Sequence, residues 1–340
     1  MDISQLQSVA RSLVAPGKGI LAADESSGTI KKRFDKIGVE STEANRQAYR
    51  ELLFTTPGIG QYISGVILYD ETIRQSAKDG RTFVQALNDQ GIIPGIKVDK
   101  GTVALPFSPE EKMTEGLDGL RQRLEEYVKL GAKFAKWRGV ITIKGTALPT
   151  ANCLHANAYA LAVYAALCQE AGLVPIVEPE VLMDGNHSLE RCYEVTRGTL
   201  KHVFEGLRMN GVHLSGMLLK PNMVIAGKEA PAQATPPQVA EQTVQCFVKI
   251  IPAEVPGLVF LSGGQSEKEA CANLNAMNIP GAPAHPWELS FSYGRALQSS
   301  ALEAWGGKAE NVAKAQEVFA HRAKLVSAAR SGIYQPALEQ

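Results

Sequence analysis

The strongest constraint in this 340-residue sequence is an eightfold alternation between strand-sized apolar runs and longer stretches of helical period. The runs are Gly19–Asp24, Ser64–Asp70, Ile92–Asp99, Phe134–Ile141, Leu173–Val181, Gly216–Val224, Gly257–Gly263 and Glu288–Gly294. Between them, series such as Leu154, Ala158, Leu161, Ala165 and Cys168 place apolar side chains on one helical stripe. Parallel neighbours need a crossover connection, so strand–helix alternation implies a parallel sheet. Eight units imply an α/β fold of the closed (β/α)8 TIM-barrel kind, with a doubly wound open sheet as the runner-up. A barrel of this type takes about 250 residues. The surplus fits an extra N-terminal helix (Ser4 to Val14) and an extra C-terminal helix striped by Val312, Ala315, Phe319, Ala323 and Val326. With no repeat, low-complexity tract or linker, residues 1–340 read as one domain, and 331–340 as a short C-terminal tail.

Helix starts carry chemical signatures. Ser108-Pro109-Glu110-Glu111, Thr235-Pro236-Pro237-Gln238 and Ser266-x-x-Glu269 each have the form of a capping box, the first two with proline at the first helical position.

Composition narrows the function classes. Thirty-five basic and 35 acidic residues balance, which disfavours nucleic acid or a membrane surface as a partner. No basic-then-apolar leader opens the sequence, and the most apolar stretch, Ala158 to Cys168, is too short to span a bilayer, so a cytoplasmic location is expected. Five scattered cysteines (153, 168, 192, 246 and 271) are expected to be buried reduced thiols rather than disulfides or zinc ligands.

The charges sit at the ends of the runs. Asp24 closes the first, and Lys97 and Asp99 the third. Lys136 and Arg138 lie in the fourth, Glu178 and Glu180 close the fifth, and Lys220 interrupts the sixth. Ser262-Gly263-Gly264 follows the seventh and Gly294-Arg295 the eighth. Parallel strands bring all of these to one face, where barrel enzymes keep their chemistry. Side chains alternate along a strand, so Lys136 and Arg138 point the same way, as do Glu178 and Glu180. Pro179 and Pro221, lacking a ladder donor, are expected where strands leave the sheet.

This set suits covalent amine catalysis. Desolvation and nearby cations such as Lys136 would lower the Lys220 amine from its ordinary value of about 10.4. A neutral amine attacks a ketone and forms a Schiff base. Glu178 and Glu180 can shuttle the protons of imine formation, and Asp24 is the third carboxylate, the candidate base for cleavage. The glycine-rich turn at Ser262–Gly264 and the helix start at Gly294-Arg295 form an anion site. Ser26-Ser27-Gly28-Thr29 followed by Lys31, Lys32 and Arg33, with Lys97 across the mouth, suggests a second. Two anion sites flanking one lysine describe a ketose bisphosphate.

The segments Leu21-Ala-Ala-Asp-Glu-Ser26, Gly95-Ile-Lys-Val-Asp-Lys100, Phe134-Ala-Lys-Trp-Arg138, Ile176-Val-Glu-Pro-Glu180, Leu218-Leu-Lys-Pro-Asn-Met223, Phe260-Leu-Ser-Gly-Gly-Gln265 and Ser290-Phe-Ser-Tyr-Gly-Arg295 resemble those of class I (Schiff-base) fructose-1,6-bisphosphate aldolases, in order and to about Pro336. The resemblance implies a lyase of glycolysis and gluconeogenesis that needs no metal or other cofactor. It cleaves fructose 1,6-bisphosphate reversibly to dihydroxyacetone phosphate and glyceraldehyde 3-phosphate. It implies Lys220 as nucleophile, Glu178 as acid/base with Glu180 beside it, Asp24 as base towards the C4 hydroxyl, and Lys136 as the lysine that tunes the site's charge. Ser262, Gly263, Gly264, Ser292, Gly294 and Arg295 match the family's C1-phosphate site. Ser26, Thr29, Arg33, Lys97 and Arg138 match residues around the C6 phosphate, with Thr29 where a serine is common. A cytoplasmic homotetramer is implied. One departure stands out: animal members end in a tyrosine that assists enamine protonation, whereas the last tyrosine here is Tyr334.

Two other readings make contrary demands. A zinc-dependent aldolase would need ligand spacing, and histidines 155, 187, 202, 213, 285 and 321 show none. A non-catalytic scaffold would show a broken site, and every position above is intact.

Overall fold

The computed structural model describes residues 2–339; Met1 and Gln340, the outermost residues of the expected domain and tail, lie outside them. Among the described residues ten strands form: β1 Gly19–Ala22, β2 Ile63–Leu68, β3 Ile93–Lys97, β4 Thr102–Leu105, β5 Ser108–Thr114, β6 Phe134–Ile141, β7 Val174–Val181, β8 Leu218–Leu219, β9 Gly257–Phe260 and β10 Glu288–Tyr293. The helices are α1 Ile3–Leu13, α2 Ser27–Asp35, α3 Glu43–Phe54, α4 Asp70–Ile73, α5 Phe83–Asn88 and α6 Leu120–Lys129, then α7 Ala151–Glu170, α8 Leu189–Met209, α9 Pro236–Phe247, α10 Glu267–Asn278, α11 Arg295–Trp305 and α12 Val312–Arg330.

Eight strands close into a barrel in the order β1-β10-β9-β8-β7-β6-β3-β2, every pair parallel. Each of the eight apolar runs supplies one of them. The sixth gives only Leu218–Leu219, so Lys220 stands just past the ladder.

Inside the barrel, Ile20, Ile67, Phe134, Val174, Ile176, Leu218 and Val259 form an apolar plug that α1 seals from below with Leu6, Ala10 and Leu13. A Cβ on Gly95 would lie 2.3 Å from the Phe134 ring, so glycine there lets the ring fill the interior. A second, larger core packs the helices against the outer face of the sheet. In α12, Ala315, Phe319, Ala323 and Val326 are fully buried, as the stripe predicted.

The inward parity of the strands then sets the chemistry. Two residues above Ala22, Phe134, Ile176 and Leu218 in the plug come Asp24, Lys136, Glu178 and Lys220. Period-two alternation makes the charges the next inward layer.

Two expectations need correction. Ser108-Pro109-Glu110-Glu111 starts no helix; it opens β5, which pairs antiparallel with β4 in a hairpin beside the barrel. Ser108 does donate to Glu111, at 2.9 Å, but Glu111 also accepts from the backbone N–H and hydroxyl of Thr150, each at 2.7 Å. A carboxylate read as a local cap is a long-range tie. Nor does Pro179 end its strand: β7 pairs with β6 through Val181, and only its pairing with β8 stops, at Val177. The boxes at Thr235 and Ser266 do start α9 and α10.

Candidate active site

A cavity of about 590 Å³ opens at the C-terminal end of the barrel strands. Its walls bring together Asp24, Lys136, Glu178, Glu180 and Lys220, with Ser26, Thr29, Arg33, Lys97, Arg138, Ser262, Gly263, Ser292, Gly294 and Arg295. Gly264 is the one predicted site residue that does not line it. Its N–H turns away and donates to Met183 Sδ at 2.8 Å.

The centre is a buried chain of alternating charges. Lys136 Nζ lies 2.6 Å from Asp24 Oδ2 and 3.3 Å from Glu178 Oε2. Glu178 Oε1 lies 3.2 Å from Lys220 Nζ. Both lysines are buried, at 4% exposure. Lys136 therefore does not face Lys220 as a bare cation, as the sequence suggested; Glu178 contacts both ammoniums. Burial alone would push the Asp24 carboxyl up, but the field of Lys136 and then of Lys220 outweighs it and holds Asp24 well below the usual carboxylate range. Burial would likewise pull Lys136 down, and Asp24 and Glu178 reverse that, keeping it firmly protonated. Glu178 Oε2 is buried and, among the described residues, has no hydrogen bond that meets geometric criteria despite its nearness to Lys136.

Cations ring the mouth. Arg138 is paired with Glu180, and Lys97 with Asp99 at 2.9 Å, under the Tyr69 ring at 5.9 Å. Arg33 pairs with Glu25, which is itself buried between Arg33 and Arg50. Gln298 donates to the same Glu25 oxygen at 3.1 Å and to the Ala22 carbonyl at 2.8 Å. Sequence reasoning missed Glu25 as a support for Arg33, because its second partner, Arg50, stands on α3, distant in the chain. Lys32, one of the cations the sequence grouped near Asp24, lines the cavity from α2; sequence reasoning missed Lys36, which lines it just past the end of that helix.

The loops after β9 and β10 form a cradle in the cavity wall. Gly263 takes φ +57°, a left-handed conformation that favours glycine. Arg295 opens α11 and donates to the Gly263 carbonyl. Burial first, and then the neighbouring Arg33, lower the Arg295 guanidinium, with Glu180 opposing them. The Ser292 hydroxyl is buried and has no hydrogen-bond partner among the described residues. Leaving a buried hydroxyl unpaired costs about 1–3 kcal/mol, which an anion oxygen in the cradle would recover.

Tyr334 does not line this cavity. Its hydroxyl donates to Glu339 at 2.9 Å, and Arg322 holds the same carboxylate with two bonds of 2.7 Å. All five cysteines are free and buried. Among the described residues, no group of three or more His, Cys, Asp or Glu side chains could hold a metal ion, and no helix is long and apolar enough to cross a membrane.

Comparison with known proteins agrees along nearly the whole chain. A protein-family model described as fructose-bisphosphate aldolase class-I matches residues 5–340. The probable fructose-bisphosphate aldolase class 1 of Xanthomonas campestris pv. campestris is 57% identical over 325 residues, covering 95% of this chain and 96% of its own. Fructose-bisphosphate aldolase 4, cytosolic, of Arabidopsis thaliana is 55% identical over 321 residues, 94% of this chain and 81% of its own. A solved structure of the Plasmodium falciparum fructose-bisphosphate aldolase, in complex with TRAP and a small-molecule inhibitor, superposes with a TM-score of 0.96 at 54% identity, covering 98% and 96% of the two chains.

Proposed function

The chain belongs to the class I fructose-bisphosphate aldolase family, and from that premise we propose how its own residues divide the reaction. The activity is reversible aldol cleavage of fructose 1,6-bisphosphate to dihydroxyacetone phosphate and glyceraldehyde 3-phosphate through a lysine Schiff base, chemistry that needs no metal.

Lys220 is the nucleophile. The observation that carries this reading is its 3.2 Å contact with Glu178 at the buried centre of the cavity. Glu178 takes a proton from the Lys220 ammonium, and the freed amine adds to the C2 carbonyl, a proton passing from its nitrogen to the oxygen to give the neutral carbinolamine. Glu178 then returns a proton to the carbinolamine oxygen, which leaves as water, giving the iminium. Asp24 accepts the C4 hydroxyl proton, the C3–C4 bond breaks, and its electron pair passes into the iminium as an enamine. Glyceraldehyde 3-phosphate departs. A proton delivered to C3 regenerates the iminium, and water releases dihydroxyacetone phosphate from Lys220. Lys136 keeps Asp24 ionised until it takes that proton, and balances Glu178. Glu180 acts through Arg138, which it orients.

Ser262, Gly263, Ser292, Gly294 and Arg295 hold the C1 phosphate, with Gly264 completing the turn. Ser26, Thr29, Arg33, Lys97 and Arg138 hold the C6 phosphate. Because Tyr334 is tied to Glu339, enamine protonation falls to a carboxylate, the bound phosphate or water. Residues 1–340 act as one barrel domain, with 331–340 as its tail. A homotetramer in the cytoplasm completes the reading; the Arabidopsis relative is described as cytosolic.

Borohydride trapping tests the centre of this account. The protein is incubated with fructose 1,6-bisphosphate and a chelator, reduced and digested, and the adduct is located by mass spectrometry. An adduct on Lys220 is expected. An adduct elsewhere, or none in a protein that a chelator inactivates, would overturn the assignment.

A further inference from the structure

The loops that follow β7 and β8 are zipped together above the barrel. Gly227 N–H donates to the His187 carbonyl at 2.8 Å, Lys228 N–H to Met183 at 2.8 Å, and Glu229 N–H to Gly185 at 2.9 Å. A Cβ on Gly227 would come within 2.2 Å of the Gly185 carbonyl oxygen, so the zipper needs glycine there. Its backbone is thus fixed, and with it the base of the Lys228 side chain.

From that base Lys228 reaches across to the turn after β9. A Cβ built on Gly264 would lie 2.0 Å from Lys228 Cε and 2.4 Å from its Nζ, so the ammonium rests against the turn itself. Glycine at 264 leaves the space that Lys228 occupies. Arg295 grips the same turn at the Gly263 carbonyl. The turn is therefore flanked by two cations from different elements. The ammonium's present partner is Asp184, at 3.1 Å, and both side chains are substantially exposed, at 40% and 67%. An exposed pair of this kind is worth only about 0–1 kcal/mol and exchanges readily.

We propose that Lys228 is a further phosphate-binding residue, which leaves Asp184 to bind the anion held on the Ser262–Gly263 turn opposite Arg295. The inference rests on placing the C1 phosphate at that turn. A sugar phosphate carries about −1.5 to −2 charges at neutral pH, more than one guanidinium neutralises. A lysine on a flexible stem supplies the balance as a mobile point charge. Asp184 then acts as a counter-ion that competes with substrate for Lys228.

Opposite-signed effects from two partners of one ion pair separate this role from a structural one. Lys228→Met keeps the stem over Gly264 and removes the charge. It should raise KM for fructose 1,6-bisphosphate and Ki for inorganic phosphate by roughly five- to tenfold, with a smaller change in kcat. Asp184→Asn should lower both constants, and Lys228→Arg should restore most of the loss. If the pair merely braces the loops, Lys228→Met and Asp184→Asn will shift the constants in the same direction, and the proposal falls. Arg295→Ala distinguishes the two levels of the argument. If it leaves KM and Ki unchanged, the C1-phosphate placement itself is wrong. If it weakens both while Lys228→Met does not, only the role of Lys228 is overturned.

Discussion

Lys220 Nζ, just past β8, and Glu178 Oε1, within the neighbouring parallel β7, stand 3.2 Å apart, and the register of the sheet puts them there. Val177 pairs with Leu219, and the Lys220 N–H donates to the Val177 carbonyl at 2.8 Å. One step on, Glu178 and Lys220 are neighbours whose inward parity is inherited from Ile176 and Leu218. A one-residue slip would turn either side chain out of the cavity. The acid/base is thus aimed at the nucleophile by the same backbone ladder that closes the barrel.

The first prediction concerns that pair. Lys220→Ala removes the covalent route, and kcat should fall by on the order of 10⁴-fold or more, with the far-ultraviolet circular dichroism of the folded protein retained. Substantial cleavage by a folded Lys220→Ala protein would contradict the role.

Glu178→Gln keeps the size of the side chain but cannot move protons. We expect kcat to fall by about 10²- to 10⁴-fold with little change in KM, and imine formation, followed by borohydride trapping in single turnovers, to become slow. A raised KM at unchanged kcat would assign Glu178 to binding instead.

Much of this site was legible because the strand period and the topology do the same work. Asp24, Lys136, Glu178 and Lys220 each follow an apolar inward residue by two positions, a pattern visible without coordinates. What could not be read were directions and partners set by distant segments. Glu25 reads as the neighbour of Asp24, yet it faces Arg33 and Arg50 on two helices. Gly264 reads as a phosphate amide, yet its N–H is taken by Met183 from the loop after β7. Glu111 has the local spacing of a cap, and the stronger demand of Thr150 at the start of α7 places it in a hairpin. Periodicity records the parity of a side chain; it does not record which element comes to meet it.

Two glycines near the C1-phosphate turn should respond differently to alanine. At Gly264 the new methyl meets the ends of two flexible side chains, Lys228 and Met183, which can move aside. Gly264→Ala should therefore cost less than about 1 kcal/mol in urea unfolding. At Gly227 the methyl meets a backbone carbonyl, and the zipper must open. Gly227→Ala should cost about 1–3 kcal/mol and lower kcat/KM as well, because the loops after the Glu178 and Lys220 strands separate. Equal costs at the two positions would mean that the zipper is not a rigid element.

The Lys136–Asp24 pair makes a pH-dependent prediction whose sign is fixed by the direction of each shift. Asp24 is lowered, so its contribution to stability is present above the ordinary carboxylate value of about 3.9 and is lost as pH falls through its folded value. Lys136 is raised, so its contribution is present below about 10.4 and is lost only as pH rises through its folded value. Near neutral pH both are in force. Lys136→Met leaves Asp24 buried without its nearest cation, a change that costs about 3–5 kcal/mol for a buried pair. In that variant burial dominates, the Asp24 carboxyl rises, and protonation relieves the penalty. The stability difference between the wild type and Lys136→Met should therefore be largest at about pH 7 and shrink towards pH 4. Urea unfolding across that range measures it directly, and a difference that stays constant with pH would show that Lys136 is not what holds Asp24 ionised.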